Sequence, residues 1–261
     1  MGILNVTPDS FAESSAARDL STLVERALQM EADGADLIDI GGESTRPGAE
    51  LVTADVEAAR VLPVLDALAG RLRIPVSIDT SKASVARAAL SAGAAIVNDV
   101  SSLRDPDLAG VAAAAGAPLV LMHGRGLSKT MYAEAVYEDV MADVIRELRG
   151  SLRLATDAGV PIARIIVDPG VGFAKRPSHS YGVLARLPEL AAALDRPVLV
   201  GPSRKSYMRE AVGGRPADQR DWGTAAACTA AVLAGAHIVR VHAVAEMVQV
   251  VRVAEEIRRH G

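Results

Sequence analysis

The chain has 261 residues, half of them hydrophobic but only 3% aromatic, a length and an aliphatic composition that favour a single α/β domain over residues 1–261. A formal net charge of −4 offers no basic surface, which argues against binding driven by a nucleic-acid backbone. Cys228 is the only cysteine, so an intramolecular disulfide is excluded, and with no signal or membrane-spanning segment predicted we expect a cytoplasmic protein.

Short apolar runs recur along the chain, and each ends in polar residues that can take part in chemistry. Eight such runs predict eight buried strands. In a parallel α/β fold, side chains at the carboxyl ends of the strands converge on one face of the domain. The polar residues at or just after the runs are, in chain order, Asn5, Asp39, Asp79, Asn98, His123, Asp168, Ser203-Arg204-Lys205 and Arg240-Val241-His242.

Helical patterns fill the intervals between the runs, and glycines that follow several of them predict left-handed helix ends. This alternation predicts a single (β/α)8 TIM barrel. The alternative, an open doubly wound sheet, usually has a glycine-rich phosphate loop after its first strand, where this chain has Asn5-Val6-Thr7-Pro8-Asp9. The predicted helices span residues 20–33, 54–69, 83–92, 106–115, 133–158, 181–193, 224–234 and 245–259, and the glycines are Gly34, Gly93, Gly116, Gly159 and Gly235.

The connections that follow the predicted strands differ in length from those that precede them. The first and second βα loops, residues 7–19 and 41–53, are long and rich in Gly, Pro, Ser and Thr, as are residues 124–132 and 169–180. Most αβ connections have only a few residues. Long loops at the carboxyl ends of the strands are typical of barrel enzymes, so we expect the functional site there.

The strand-end residues favour a site for a nitrogen-rich heterocycle and an anion. Asp79, Asn98 and Asp168 offer carboxylate acceptors and an amide to amino and lactam N–H groups, although each alone could cap a helix. Arg240 and His242 have the same strand parity, which predicts an anion site. No cluster predicts a zinc site built by the protein.

Two further interpretations concern residues near these ends. The position of Lys205 beside acidic strand ends favours a role in the site over a solvent-exposed position. The second loop offers another anion contact at Thr45-Arg46-Pro47-Gly48. We interpret Asp39 and His123 as supporting residues and Trp222 as a packing residue.

Seven motifs together resemble the dihydropteroate synthase family, in family order from the first strand to the last. The resemblance implies a pterin-binding barrel that joins 6-hydroxymethyl-7,8-dihydropterin pyrophosphate to 4-aminobenzoate and releases pyrophosphate in folate biosynthesis. It also implies a homodimer and a target of sulfonamides. The motifs are Met1-Gly2-Ile3-Leu4-Asn5-Val6-Thr7-Pro8-Asp9-Ser10-Phe11, Asp39-Ile40-Gly41-Gly42-Glu43-Ser44-Thr45-Arg46-Pro47-Gly48, Ser77-Ile78-Asp79-Thr80, Val97-Asn98-Asp99, Asp168-Pro169-Gly170-Val171-Gly172-Phe173, Ser203-Arg204-Lys205 and Arg240-Val241-His242.

The resemblance also implies roles for individual residues. Arg240 would stack on the pterin and, with His242, meet the pyrophosphate, and Asn5 would help to bind Mg²⁺. Lys205, Arg240 and His242 would form the catalytic set. The pterin edge would be held by Asp79, Asn98, Asp168 and Lys205, and the 4-aminobenzoate side would be lined by Thr45, Pro47, Phe173 and Ser203, with Arg46 in the same loop.

The chain departs from the family pattern at three places near these motifs. Residues 12–15 read Ala-Glu-Ser-Ser where a glycine-containing stretch is usual, Gly124 stands where methionine is common, and Ala243 stands where aspartate is usual. Two alternatives therefore accompany the synthase hypothesis. One is a related barrel that serves methyl transfer from a methylated folate to a corrinoid protein, and the other is a pterin-binding paralogue without synthase activity.

Overall fold

The computed structural model describes residues 1–6, 16–45, 48–126 and 129–261, with the backbone alone for 16–19. The predicted site residues Arg46 and Pro47, and most of the first βα loop, lie outside this range. Its strands are β1 (Gly2–Asn5), β2 (Ile38–Gly41), β3 (Val76–Asp79), β4 (Ile96–Asp99), β5 (Leu119–Met122), β6 (Ile165–Asp168), β7 (Leu199–Val200) and β8 (Ile238–Val239). Its α-helices are α1 (Ala16–Ala32), α2 (Ala54–Leu68), α3 (Ala83–Ser91), α4 (Leu108–Ala115), α5 (Val140–Asp157), α6 (Pro177–Ala185), α7 (Leu187–Leu194), α8 (Asp221–Leu233) and α9 (Val244–His260).

Parallel pairing closes the strands into a barrel. Strands β1 to β6 form one sheet in chain order, and β7 pairs with β8. Single parallel bridges join Val167 to Val198, between β6 and β7, and Gly2 to Val241, between β1 and the end of β8. The strands therefore follow one another around a closed ring, and the predicted (β/α)8 barrel is confirmed.

Side-chain alternation along the strands separates the interior of the barrel from its helical shell. Paired residues of adjacent strands point to the same face, so the Asp79–Asn98 and Met122–Asp168 pairs share the interior. Deeper inside lies an apolar layer, and the helices cover the outside with the larger hydrophobic cluster. The apolar layer contains Met1, Ile96, Val120 and Leu199, with Leu37, Ile166 and Ile238 packed against it.

Helix ends follow the glycine signals, while two predicted helices differ from the structure. All five glycines that were expected to end helices have positive φ, between 62° at Gly116 and 102° at Gly93. The helix expected over 133–158 begins at Val140, because the Asp139 side chain accepts hydrogen bonds from Met141 N and Ala142 N. The helix expected over 181–193 is two helices that meet at Arg186, since a proline at position 188 cannot donate a backbone hydrogen bond.

Three further expectations concern the lone cysteine, the lone tryptophan and the helices. Cys228 is buried as expected, and burial raises the pKa of its thiol to about 12. The interpretation of Trp222 as a packing residue is wrong, because its side chain is 90% exposed at the start of α8. Among the helices in the described ranges, none has the length and apolar character needed to cross a membrane.

Candidate active site

Three polar side chains, those of Asp39, Asp79 and Asn98, cluster around Arg240 at the carboxyl end of the barrel. Its Nε donates to Asp39 Oδ2 at 2.5 Å and its Nη2 donates to Asp79 Oδ2 at 2.8 Å. Asn98 Nδ2 donates to the same oxygen of Asp39 at 2.9 Å. Asp39 is fully buried, so it fixes both the guanidinium and the direction of the Asn98 amide.

Burial and charge act in opposite directions on the ionisable groups of this cluster. Burial raises the pKa of Asp79 to about 7, although Arg240 pulls it down, and the carboxylate of Asp39 adds to the increase. Burial also disfavours the charge of Arg240, but Asp39 and Asp79 hold the pKa of its guanidinium above its ordinary value. The cluster thus has two carboxyl groups for one cation, and Asp79 can exchange a proton near neutral pH.

Asp168 and Lys205 form a second group across the barrel mouth. Asp168 Oδ1 accepts from Gly170 N at 2.7 Å, and Lys205 Nζ donates to Val171 O at 2.6 Å. Lys205 Nζ also lies 4.3 Å from the centroid of the Phe173 ring. Burial raises the pKa of Asp168, whereas burial lowers the pKa of Lys205 to about 8 despite the attraction of Asp168.

Ser203 and His242 contact each other at the carboxyl ends of β7 and β8. Ser203 Oγ lies 2.9 Å from His242 Nδ1 and accepts from His242 N at 3.2 Å. Between Ser203 and Lys205, Arg204 has a left-handed backbone with φ of 58°, and its guanidinium donates to both carboxylate oxygens of Asp221 at 2.7–2.8 Å. The anion site predicted at Arg240 and His242 stays a prediction; in the structure Arg240 pairs with Asp39 and Asp79, and His242 contacts Ser203.

Asn5 lies at the carboxyl end of β1, in register with Gly41, which in turn pairs with Asp79. Its side chain is half-buried. In the described part of the chain, no group of three or more His, Cys, Asp or Glu residues could hold a metal ion. An amide oxygen at the end of a strand suits Mg²⁺, which keeps much of its shell as water and phosphate oxygen.

A small cleft of about 50 Å³ opens between the loops that follow β2 to β6. Thr45 and Phe173, two of the residues expected to line the second substrate's side, both border it. The loop that carries Thr45 is held by Glu43, which accepts from Val52 N at 2.7 Å and from Lys82 Nζ at 3.0 Å. This contact connects the β2 loop to the residues that precede α3.

Sequence reasoning missed a buried network beneath the loop after β6. His123 follows Met122 and points out of the barrel, where its Nε2 lies 2.9 Å from Glu147 Oε2 on α5. Its Nδ1 lies 2.8 Å from Lys175 Nζ. Lysine is seldom fully buried, and no signal in the sequence indicates that Lys175 is.

Comparison with known proteins places this geometry in context. The sequence profile described as pterin binding enzyme matches residues 1–242. The dihydropteroate synthase of Synechocystis sp. is 45% identical over 260 residues, which cover 99% of this chain and 90% of that protein. The Bacillus subtilis dihydropteroate synthase is 41% identical over 262 residues, covering 100% of this chain and 89% of that protein.

Solved structures are similar over the same extent. The dihydropteroate synthase of Xanthomonas albilineans with 4-aminobenzoic acid has a TM-score of 0.92 and 41% identity, covering 99% of this chain and 92% of that chain. The same organism's enzyme in complex with 7,8-dihydropteroate has a TM-score of 0.89 and 38% identity, with the same coverage of both chains. The similarity therefore extends over the whole barrel.

Proposed function

The chain belongs to the pterin-binding enzymes and, among them, to the dihydropteroate synthases, and on this premise we propose the reaction that it catalyses. It joins 6-hydroxymethyl-7,8-dihydropterin pyrophosphate to 4-aminobenzoate, giving 7,8-dihydropteroate and pyrophosphate in folate biosynthesis. The observation that carries the proposal is the set of polar side chains at the carboxyl end of the barrel, in a chain similar to these enzymes over its whole length.

The pterin would bind among Asp79, Asn98, Asp168 and Lys205. The carboxylates accept hydrogen bonds from the amino and lactam N–H groups, and the Asn98 amide, already donating to Asp39, keeps its oxygen for a donor on the ring. Arg240, held by Asp39 and Asp79, presents a planar guanidinium on which the ring can stack. These contacts fix the methylene carbon that reacts.

The pyrophosphate would lie toward Asn5, Arg240 and His242. Mg²⁺, which Asn5 would help to bind, would offset the charge that builds up on the departing diphosphate. Arg240 supplies a fixed positive charge on the same side, within a low-dielectric cavity. The C–O bond to the pyrophosphate breaks as the arylamine nitrogen bonds to the methylene carbon, and the amine then releases a proton to solvent.

The second substrate would occupy the side bordered by Thr45, Phe173 and Ser203, with Arg46 and Pro47 from the same loop as Thr45. A neutral arylamine is already nucleophilic, so orientation contributes more than a strong base. This is consistent with a site whose side chains position the substrates without forming a covalent intermediate.

The reaction is tested by mixing the purified protein with the pterin pyrophosphate, 4-aminobenzoate and Mg²⁺, and measuring dihydropteroate and pyrophosphate. Asp168→Asn should weaken binding of 6-hydroxymethylpterin about tenfold or more, because a buried acceptor becomes a donor that faces N–H groups. Asp195→Asn is the matched control, since that side chain is 99% exposed. Pterin binding without pyrophosphate release would instead favour a non-synthase paralogue.

We also propose that the protein is a cytoplasmic homodimer. The outward face of α8 supports the dimer, because its exposed residues at positions 222, 226, 230 and 233 are Trp, Ala, Ala and Leu. Trp222 is 90% exposed and Leu233 is 43% exposed. Exposing such large apolar side chains to water is unfavourable, so this face favours contact with another protein surface. The single reduced cysteine supports the cytoplasm.

A further inference from the structure

Lys175 is a buried lysine that takes no direct part in the site described above. It lies in the loop between β6 and α6, and only 1% of its surface is exposed. Its Nζ lies 2.8 Å from His123 Nδ1 and 3.1 Å from both Gly170 O and Phe173 O. A buried ammonium is costly unless it is fully hydrogen-bonded, so such a residue needs a reason to be retained.

Burial lowers the pKa of Lys175 to about 7, and in the charged form its contacts account for every proton of the ammonium group. Three N–H donors meet three acceptors, provided that His123 is neutral and carries its proton on Nε2, where it donates to Glu147. Burial lowers the pKa of His123 to about 4, in agreement with a neutral ring. Arg125 Nε donates to the same Glu147 oxygen at 3.1 Å, so this carboxylate is held from two sides.

The acceptors of Lys175 belong to the turn that forms one wall of the site. Gly170 and Phe173 are the first and last residues of this turn, which we call the β6 turn (residues 170–173). Within it, Val171 O anchors Lys205 at 2.6 Å, and the Phe173 ring lies beneath the same ammonium. Lys175 thus donates to both ends of the β6 turn, which contains Phe173 and accepts a hydrogen bond from Lys205.

We propose that Lys175 is a positioning residue for the second substrate: its three hydrogen bonds hold the β6 turn so that Phe173 and Lys205 form the wall against which 4-aminobenzoate binds. The identity of that substrate rests on the proposed function, but the constraint on the turn does not. Lys175 touches no reacting atom, because its ammonium lies behind the turn, against His123.

The test is Lys175→Met, which keeps the length of the side chain and removes its donors. Lys129→Met is the matched control, since Lys129 lies in the neighbouring loop with its side chain 58% exposed. For Lys175→Met the KM for 4-aminobenzoate should rise about tenfold. The dissociation constant of 6-hydroxymethylpterin should rise by a smaller factor, about threefold at most, because only Lys205 among the pterin-binding residues is anchored by the β6 turn. Lys129→Met should change neither quantity.

Hydrogen exchange of the backbone provides a readout that needs no activity. In Lys175→Met, the amides of the β6 turn should exchange about tenfold faster, while those of β2 to β4 keep the wild-type rate. If Lys175→Met does not fold, His123→Leu replaces it, because this change removes one of the three acceptors of Lys175. His123→Leu should also raise the KM for 4-aminobenzoate more than the dissociation constant of 6-hydroxymethylpterin, with a smaller increase in KM than Lys175→Met. Three results would overturn the proposal: an unchanged KM for 4-aminobenzoate, unchanged hydrogen exchange of the β6 turn, or equal losses of affinity for both substrates. A wild-type protein that forms no product would overturn the proposed function alone.

Discussion

Arg240 serves two carboxylates at once, and this shared charge shapes the chemistry of the site. The buried Asp39 accepts a hydrogen bond from Arg240 Nε, and Asp79 accepts one from Arg240 Nη2. Burial raises the pKa of Asp79 to about 7 against the attraction of Arg240, and the nearby Asp39 carboxylate adds to the increase. Binding of a pterin that donates N–H groups would favour the ionised form of Asp79.

Pterin affinity should therefore depend on the ionisation of Asp79. Only the carboxylate accepts from two N–H groups, so the dissociation constant of 6-hydroxymethylpterin should fall about tenfold as the pH rises from about 5.5 to 7.5. The stability of the fold should change in the opposite direction. Because the pKa of Asp79 is raised on folding, this group increases the free energy of unfolding at low pH, and the increase is lost as the pH rises through 7. Fluorescence titration checks the affinity, and an equally steep pH dependence in Asp79→Asn would contradict this origin.

His123 should make the folded protein sensitive to mild acid. Burial, with help from Lys175, lowers the pKa of its imidazole from 6.5 to about 4, so between these values the unfolded chain binds more protons. The unfolding free energy should drop by roughly 3 kcal/mol as the pH falls from 6.5 to 4. Urea denaturation should show a shallower drop for His123→Gln, whose amide can keep both contacts, and a drop as steep as in wild type would assign the effect to other groups.

At the scale of elements, the β6 turn shows how closely a loop can be packed onto a strand end. Gly170 has φ of 67°, and a Cβ there would overlap the carbonyl oxygen of His123 at the end of β5. The close approach lets His123 N donate to Asp168 O at 2.8 Å and places Asp168 beside Gly170 N. Glycine is therefore required both by conformation and by space.

Gly170→Ala should be strongly destabilising, by roughly 3 kcal/mol, because it combines an unfavourable φ with overpacking against backbone. Gly110→Ala, in the first turn of α4, should instead stabilise the protein by roughly 0.5–1 kcal/mol, since a Cβ at Gly110 meets nothing within 4 Å. Urea denaturation of both variants measures the difference. Equal changes in the two would show that the turn relaxes freely.

At the scale of the whole molecule, the closed barrel leaves the α8 face as a candidate contact between copies of the chain. Ala226→Glu places a charge at the centre of this face and should convert the proposed dimer into a monomer, as measured by sedimentation velocity at several concentrations. Ala114→Glu, at an exposed alanine of α4, is the matched control and should leave the mass unchanged. A dimer that survives Ala226→Glu would exclude α8 as its interface.

The sequence by itself determined the architecture and the kind of substrate. Strand runs, helix periodicity and helix-ending glycines such as Gly93 and Gly116 depend on near neighbours along the chain, and they predicted the eightfold alternation that the structure confirms. The motifs in family order pointed to pterin chemistry, which the similarity to dihydropteroate synthases bears out. The broken helix at Arg186 was missed because periodicity continues across it.

Only the tertiary structure decided which of these residues act together. Arg240 and Asp39 are 201 residues apart in sequence, and Lys175 and His123 are 52 apart, so no local pattern states that they meet. Burial, which sets the ionisation of Asp79 and Lys205, is likewise a property of the packed barrel. Local propensity thus fixes which elements form, whereas charge pairing and desolvation, which give the site its chemistry, arise only when distant strands close into a ring.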